Sequence, residues 1–213
     1  MSKPLSQTVR LSSDKTRPAV GLHSKLDPGC PVLLMLAAGK GTRFGTDPKC
    51  IAPVLGRPLA RHSIDAFHSA APGGRAAVVI GYRHEEVAAA LGGDNHYIVS
   101  ENPTGGTAWA VFEAFSLAEL LQENPIVVVT MGDRVVPEEI FGRILAVHRG
   151  DQPCETPADG READLTLLTA LYDAARLPGK GRIVRDGDKK IIRIVEERDI
   201  RALTEVPGDT PLV

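Results

Sequence analysis

The chain has 213 residues, 43% hydrophobic and 24% charged, enough for one well-packed domain or at most two small ones. Its 25 basic residues face 27 acidic ones, a net charge of -2, which lacks the basic excess of a dedicated nucleic-acid binder. The apolar run Val32 to Ala38 is far shorter than the roughly 20 residues that span a bilayer, and no apolar segment of signal type precedes it. Cys30, Cys50 and Cys154 are odd in number and lack metal-ligand spacing, which excludes a disulfide scaffold. The expectation is a soluble, cytoplasmic α/β protein with no nucleic-acid and no membrane partner.

Residues 1–30 carry Lys3, Arg10, Lys15, Arg17 and Lys25 against Asp14 and Asp27, show no helical or strand period, and are broken by Pro4, Pro18, Gly21 and Pro28. They are expected to form a flexible tail, with one domain over 31–213. Val32 to Leu36 is a continuous apolar run, suited to a strand buried on both faces of a parallel sheet. The spacing predicts a helix over 57–70, a second buried strand over 76–80, and a short helix over 83–91 closed by Gly92-Gly93. A short strand over 96–99 leads to a strong helix over 107–121 whose apolar positions are Val111, Phe112, Phe115, Leu117, Leu120 and Leu121. A third buried strand follows over 126–130, then a helix over 137–148 opened by Pro137. Farther on, Leu165 to Leu171, Gly181 to Arg185 and Lys190 to Val195 read as strands, with Asp186-Gly187-Asp188 as a hairpin turn between the last two. Alternation of strand and helix predicts an α/β, doubly wound, mostly parallel sheet.

In such sheets ligands bind beyond the carboxyl ends of the strands, so the loops there are the candidates. After the first strand comes Leu36-Ala37-Ala38-Gly39-Lys40-Gly41-Thr42-Arg43. Two glycines let the backbone turn tightly and aim amides at phosphate oxygens. Arg43 can bind a phosphate through two parallel hydrogen bonds, and Lys49 adds a compact charge. The loop lacks the Walker A spacing and the third glycine of the dinucleotide fingerprint, and taken alone it also suits an ordinary connecting turn. Asp133, after the third long strand, can hold Mg2+, a hard cation that shares phosphate oxygens; equally it suits a turn or helix cap. Ser100 to Thr107 is another glycine-rich loop opening a helix, for which an N-cap is the plainer reading. His23, His62, His68, His84, His96 and His148 show no metal pairing, and Trp109 is expected to pack its helix against the sheet.

Leu36 to Phe44 followed by Pro48-Lys49 resembles the signature of sugar-1-phosphate nucleotidylyltransferases, and within them most resembles the uridylyltransferase domain of the bacterial N-acetylglucosamine-1-phosphate enzymes. Gly106 to Ala110, Met131-Gly132-Asp133, Gly181 to Arg185 and Ile194 to Asp199 match in order, so the likeness runs over about 32–200. It implies the Rossmann-like nucleotidyltransferase fold, truncated at its C-terminal side. It implies that Leu36, Ala37, Ala38, Gly39 and Gly41 hold the nucleotide, that Arg43 and Lys49 are catalytic through its phosphates, and that Gly106 and Thr107 lie against base and ribose. Asp133 would be the Mg2+ ligand, and Gly181 and Glu196 would hold the sugar. The partners implied are an NTP and a sugar 1-phosphate, with UTP and N-acetylglucosamine 1-phosphate as the expected pair.

The chain departs from that pattern in three ways. Glu101 stands where the uridylyltransferases carry a glutamine that reads uracil. An ionised glutamate only accepts hydrogen bonds, which suits the donor-bearing edges of cytosine or guanine better. The Arg43 to Pro48 stretch is one residue shorter, and the family's later asparagine and second metal aspartate have no counterpart before Val213. Either the chain is a fragment, or a second copy or partner chain completes it. Two rivals follow: a non-catalytic nucleotide-binding module, and a cytidylyl- or guanylyltransferase acting on another phosphate.

Overall fold

The computed structural model describes residues 8–10, 30–41, 45, 47–117, 125–152, 165–170, 181–187 and 191–195. The chain divides into two compact units, Met1–Gly142 and Arg143–Val213, where one domain from residue 31 onward is the sequence expectation.

The first unit is built on a five-stranded sheet. Its strands are β1 (Thr8–Arg10), β2 (Val32–Ala37), β5 (Arg75–Ile80), β6 (His96–Val99) and β7 (Val127–Met131), while β3 (Pro53–Val54) and β4 (Arg57–Pro58) form a separate antiparallel pair. The sheet order is β1-β6-β5-β2-β7 and every neighbouring pair is parallel. Parallel pairing needs crossovers, and the helices supply them: α1 (Leu59–Ala70), α2 (His84–Leu91) and α3 (Thr107–Leu117). The chain winds outward from β2 to β5 to β6, then returns to place β7 on the other side of β2. The order therefore reverses between β2 and β7, which makes their carboxyl ends the crevice of this sheet.

All six residues of β2 are buried, as its unbroken apolar run predicts. Val32, Leu34 and Leu36 share one face with Ala77, Val79 and Ile98, and Ala110 and Ala114 of α3 pack on it. Each large aliphatic side chain buried in this way contributes about 1.5–3 kcal/mol. The expected apolar face of α3 is corrected here. Phe112 is 61% exposed, and Trp109 and Phe115 are also exposed, with Trp109 and Phe112 in ring contact. Alanines let a helix backbone approach a sheet closely, so the small residues turn inward and the aromatics outward. Helix α1 starts at Leu59 rather than 57, because Pro58 biases Arg57 away from helical backbone.

The stretch expected as a flexible tail contributes β1, which pairs with β6 from Thr8↔Tyr97 to Arg10↔Val99 at the sheet edge. Helix α4 (Glu138–His148) crosses the boundary between the units. In the second unit β8 (Arg182–Arg185) and β9 (Ile191–Val195) form the expected antiparallel hairpin, with a shift between Val184 and Arg185. The strand expected over 165–171 is absent from its described part, 165–170. Hydrophobicity gives a segment the pattern of a strand, but only a ladder partner makes it one.

Candidate functional site

Three loops meet the carboxyl ends of β2, β7 and β6. The first leaves β2 at Ala38, which is buried and whose carbonyl accepts the Tyr82 N–H at 3.2 Å. Gly39 and Lys40 are exposed, and Gly41 has a φ of +58°. The ammonium of Lys40 lies 6.0 Å from the centre of the Tyr82 ring, within cation–π range. Thr42, Arg43 and Phe44 lie outside the described residues, so the expected role of Arg43 stays an expectation. The loop returns to the sheet through Pro48 and a single 3-10 turn, Lys49–Ile51.

The second loop follows β7. Gly132 donates its N–H to the Leu36 carbonyl at 2.8 Å, so the two strand ends stay bonded to their last residue. A Cβ at Gly132 would stand 2.8 Å from the Ala37 Cβ and 3.3 Å from the Cys50 Cβ. Glycine is required here by close approach, and the next residue, Asp133, is thereby carried to the mouth of the crevice. Lys49 Nζ donates to Asp133 Oδ2 at 2.9 Å, joining residues 84 apart in sequence. Both side chains are about two-fifths exposed, 43% and 35%, so each keeps access to solvent and ligand. Ser63 of α1 donates to the Arg134 carbonyl at 2.9 Å and accepts from Val136 N–H at 2.8 Å, pinning the loop behind Asp133.

Cys50 sits beneath this pair. Burial pushes its thiol up to about 11, and the nearby Asp133 charge works in the same direction, so it packs rather than reacts near neutral pH. Among the described residues no three His, Cys, Asp or Glu side chains gather as a metal site. Among the described residues of this site Asp133 is the hard carboxylate ligand, which fits a divalent cation held jointly with phosphate oxygens.

The third loop follows β6. Glu101, Gly106 and Thr107 are all exposed, and Thr107 is the first residue of α3. Ser100 N–H donates to the Ile80 carbonyl at 2.7 Å, tying the loop to β5. Beneath it the structure shows Glu113, 5% exposed, accepting hydrogen bonds from the Ser100 hydroxyl and from the Glu101 N–H, the latter at 3.1 Å. Sequence reasoning missed this residue. Its signal is a carboxylate on the same helical stripe as Ala110 and Ala114, where an apolar residue belongs.

Leu36 and Ala37 lie at the end of β2, with the Leu36 carbonyl engaged by Gly132. Gly181 opens the hairpin of the second unit, and Glu196 lies outside the described residues. No helix among the described residues is long and apolar enough to cross a membrane.

The family of MobA-like NTP transferase domains matches residues 33–206 of this chain. The bifunctional protein GlmU of Micrococcus luteus is 37% identical over 193 residues, covering 85% of this chain and 35% of its own. GlmU of Cupriavidus pinatubonensis is 34% identical over 179 residues, covering 82% and 36%. The chain thus spans about a third of the length of these relatives. Among solved structures, a UDP-glucose pyrophosphorylase complexed with UDP-glucose has a TM-score of 0.53 at 19% identity, covering 79% of this chain and 69% of its own. HddC from Yersinia pseudotuberculosis has a TM-score of 0.52 at 18% identity, covering 78% and 69%, and both likenesses speak for the fold. The match over 33–206, laid on a parallel sheet whose switch point joins the glycine loop to Asp133, makes the chain a member of the MobA-like NTP transferase family.

Proposed function

We propose that this chain transfers a nucleotidyl group from an NTP to a sugar 1-phosphate, releasing pyrophosphate, with UTP and N-acetylglucosamine 1-phosphate as substrates and Mg2+ as cofactor. The observation that carries the reading is the meeting of Lys49 and Asp133 at 2.9 Å, one cation on the 3-10 turn by which the loop after β2 returns and one carboxylate just beyond β7. A triphosphate with its cation offers each of them the opposite charge it now finds in the other. Lys49, with Arg43, binds phosphate oxygens, Asp133 holds Mg2+ together with those oxygens, and the Ala38 to Gly41 backbone lies along the nucleotide. When bound, the metal supplies charge neutralisation at the phosphates. A sugar phosphate is already an anion near neutrality, its second pKa being about 6, so the residues position it for in-line attack and no general base is needed. Gly181 and Glu196 are assigned to the sugar on the family resemblance. The GlmU relatives support the substrate pair, and the cytoplasm suits such a substrate pool.

A second reading keeps the transfer and changes the base. Glu101, an acceptor in place of glutamine, favours cytosine or guanine. Pyrophosphate release measured across four NTPs and several sugar and alcohol phosphates decides between them, beside Asp133→Asn. Turnover that this variant loses by about 100-fold or more supports the reading. A folded wild-type chain without turnover on any pair would leave nucleotide binding alone.

A further inference from the structure

We propose that Glu113 is a positioning residue for base selection, holding the loop that presents Glu101. The inference rests on the reading of that loop as the base-side wall of the nucleotide site.

Among the described residues Glu113 is the only charged side-chain type that is buried. A carboxyl group taken out of water is expensive unless donors replace the water, and a leucine would fill the same space on α3 without that penalty. Its two oxygens are both used on the same target. Oε2 accepts the Ser100 hydroxyl and Oε1 accepts the Glu101 N–H at 3.1 Å. Ser100 is also tied to β5 through its own N–H, so the loop leaves the sheet from a point fixed on two sides.

The far end of the loop is fixed as well. Gly105 N–H donates to the Asn102 carbonyl at 2.9 Å, and a Cβ at Gly105 would stand 2.7 Å from Trp109 Cγ. Thr104 Oγ1 donates to Asn102 Oδ1 at 3.0 Å. The exposed Glu101 side chain therefore rises from backbone held at its own N–H by Glu113. A hydrogen bond discriminates between base edges only when its donor and acceptor keep distance and angle, and a backbone fixed before binding loses least on binding. Glu113 supplies that fixity without touching the nucleotide.

The test measures calorimetric binding of UTP, CTP, GTP and ATP with Mg2+, and of tripolyphosphate as a probe without a base. Wild type is compared with Glu113→Leu, Glu113→Gln and Ser100→Ala. In Glu113→Leu the ratio between the best and worst NTP shrinks by about fivefold or more, while tripolyphosphate binds as before. Glu113→Gln keeps the wild-type ratio, because its amide oxygen still accepts the Glu101 N–H and its amide donates to the Ser100 hydroxyl. Equal weakening of all five ligands in Glu113→Leu, alongside a lower melting temperature, would assign the residue a merely structural role and overturn the proposal. If Glu113→Leu does not fold, Ser100→Ala decides in its place: a narrowed ratio supports, an unchanged ratio overturns. Wild type that binds tripolyphosphate yet shows no base preference sinks the base-wall reading and the inference with it. Wild type and Glu113→Leu that select alike sink the inference alone.

Discussion

The two walls of the crevice are held in different ways. At the switch point, the end of β7 is fixed to the end of β2 by backbone, through Gly132 N–H on the Leu36 carbonyl, with no room for a side chain between them. The charged groups on this wall, Lys49 and Asp133, stand half-exposed and hold each other. On the other wall, the loop after β6 is tied to β5 through the Ser100 N–H, and the backbone of Glu101 is held by a buried side chain, Glu113, reaching it from α3. The first wall carries groups suited to phosphate and metal, which every nucleotide shares. The second carries Glu101, which on the proposed function faces the base. On that proposal, chemistry common to all nucleotides sits on a joint made by backbone, and discrimination depends on a side chain that can change alone.

The comparison can be broken at its ionic pair first. Lys49→Met should lower turnover by about 100-fold, through loss of a cation at the phosphates. Stability should move by less than about 1 kcal/mol, because exposed pairs contribute little. A double-variant cycle with Asp133→Asn, followed by urea unfolding, checks the second part: a coupling well above 1 kcal/mol would make the pair a structural brace. The backbone joint comes next. Gly132→Ala sets a methyl 2.8 Å from the Ala37 Cβ and should destabilise by about 1–3 kcal/mol, with lower turnover because Asp133 moves with the strand end. An unchanged melting temperature would show that β7 slides freely past β2.

The smallest effect sharpens the contrast through pH. Burial, then the charge of Arg75, holds the His96 imidazole below its ordinary 6.5. The unfolded chain therefore binds this proton more tightly than the native one, so stability from His96 is complete above about pH 6.5 and is lost as pH falls through the lowered native value. His96 opens β6, the strand that leads into the loop of Glu101. Thermal melts at pH 7.5 and 5.5 should show an acid loss that His96→Asn reduces; an identical loss in the variant would place it elsewhere. Cys50, beneath the other wall, stays protonated across this range.

Much of this was legible in the residues. The apolar runs at 32–36, 76–80 and 126–130 fall on parallel strands because continuous hydrophobicity suits burial on both faces. Gly39, Gly41, Lys49 and Asp133 were candidates because glycines, cations and a hard carboxylate at strand ends suit phosphate and metal. Less legible was the inward face of α3. That helix is apolar nearly all round, so periodicity could not choose between its aromatics and its alanines, and close packing on the sheet chose the alanines. Glu113 was hidden by the same ambiguity. Thr8–Arg10 offered no pattern of its own, since an edge strand of three residues is defined by the ladder it joins.

The sequence by itself thus determined the fold class, the strand ends that carry the candidate loops, and the kinds of group on them, because period and residue chemistry are local properties. Only the tertiary structure decided that Lys49 faces Asp133 across 84 residues, that Gly132 leaves no space beside Ala37, and that a helical carboxylate grips the loop of Glu101. Those are contacts between distant segments, fixed by sheet order and by which helix face packs inward, and neither is written in any one stretch of chain.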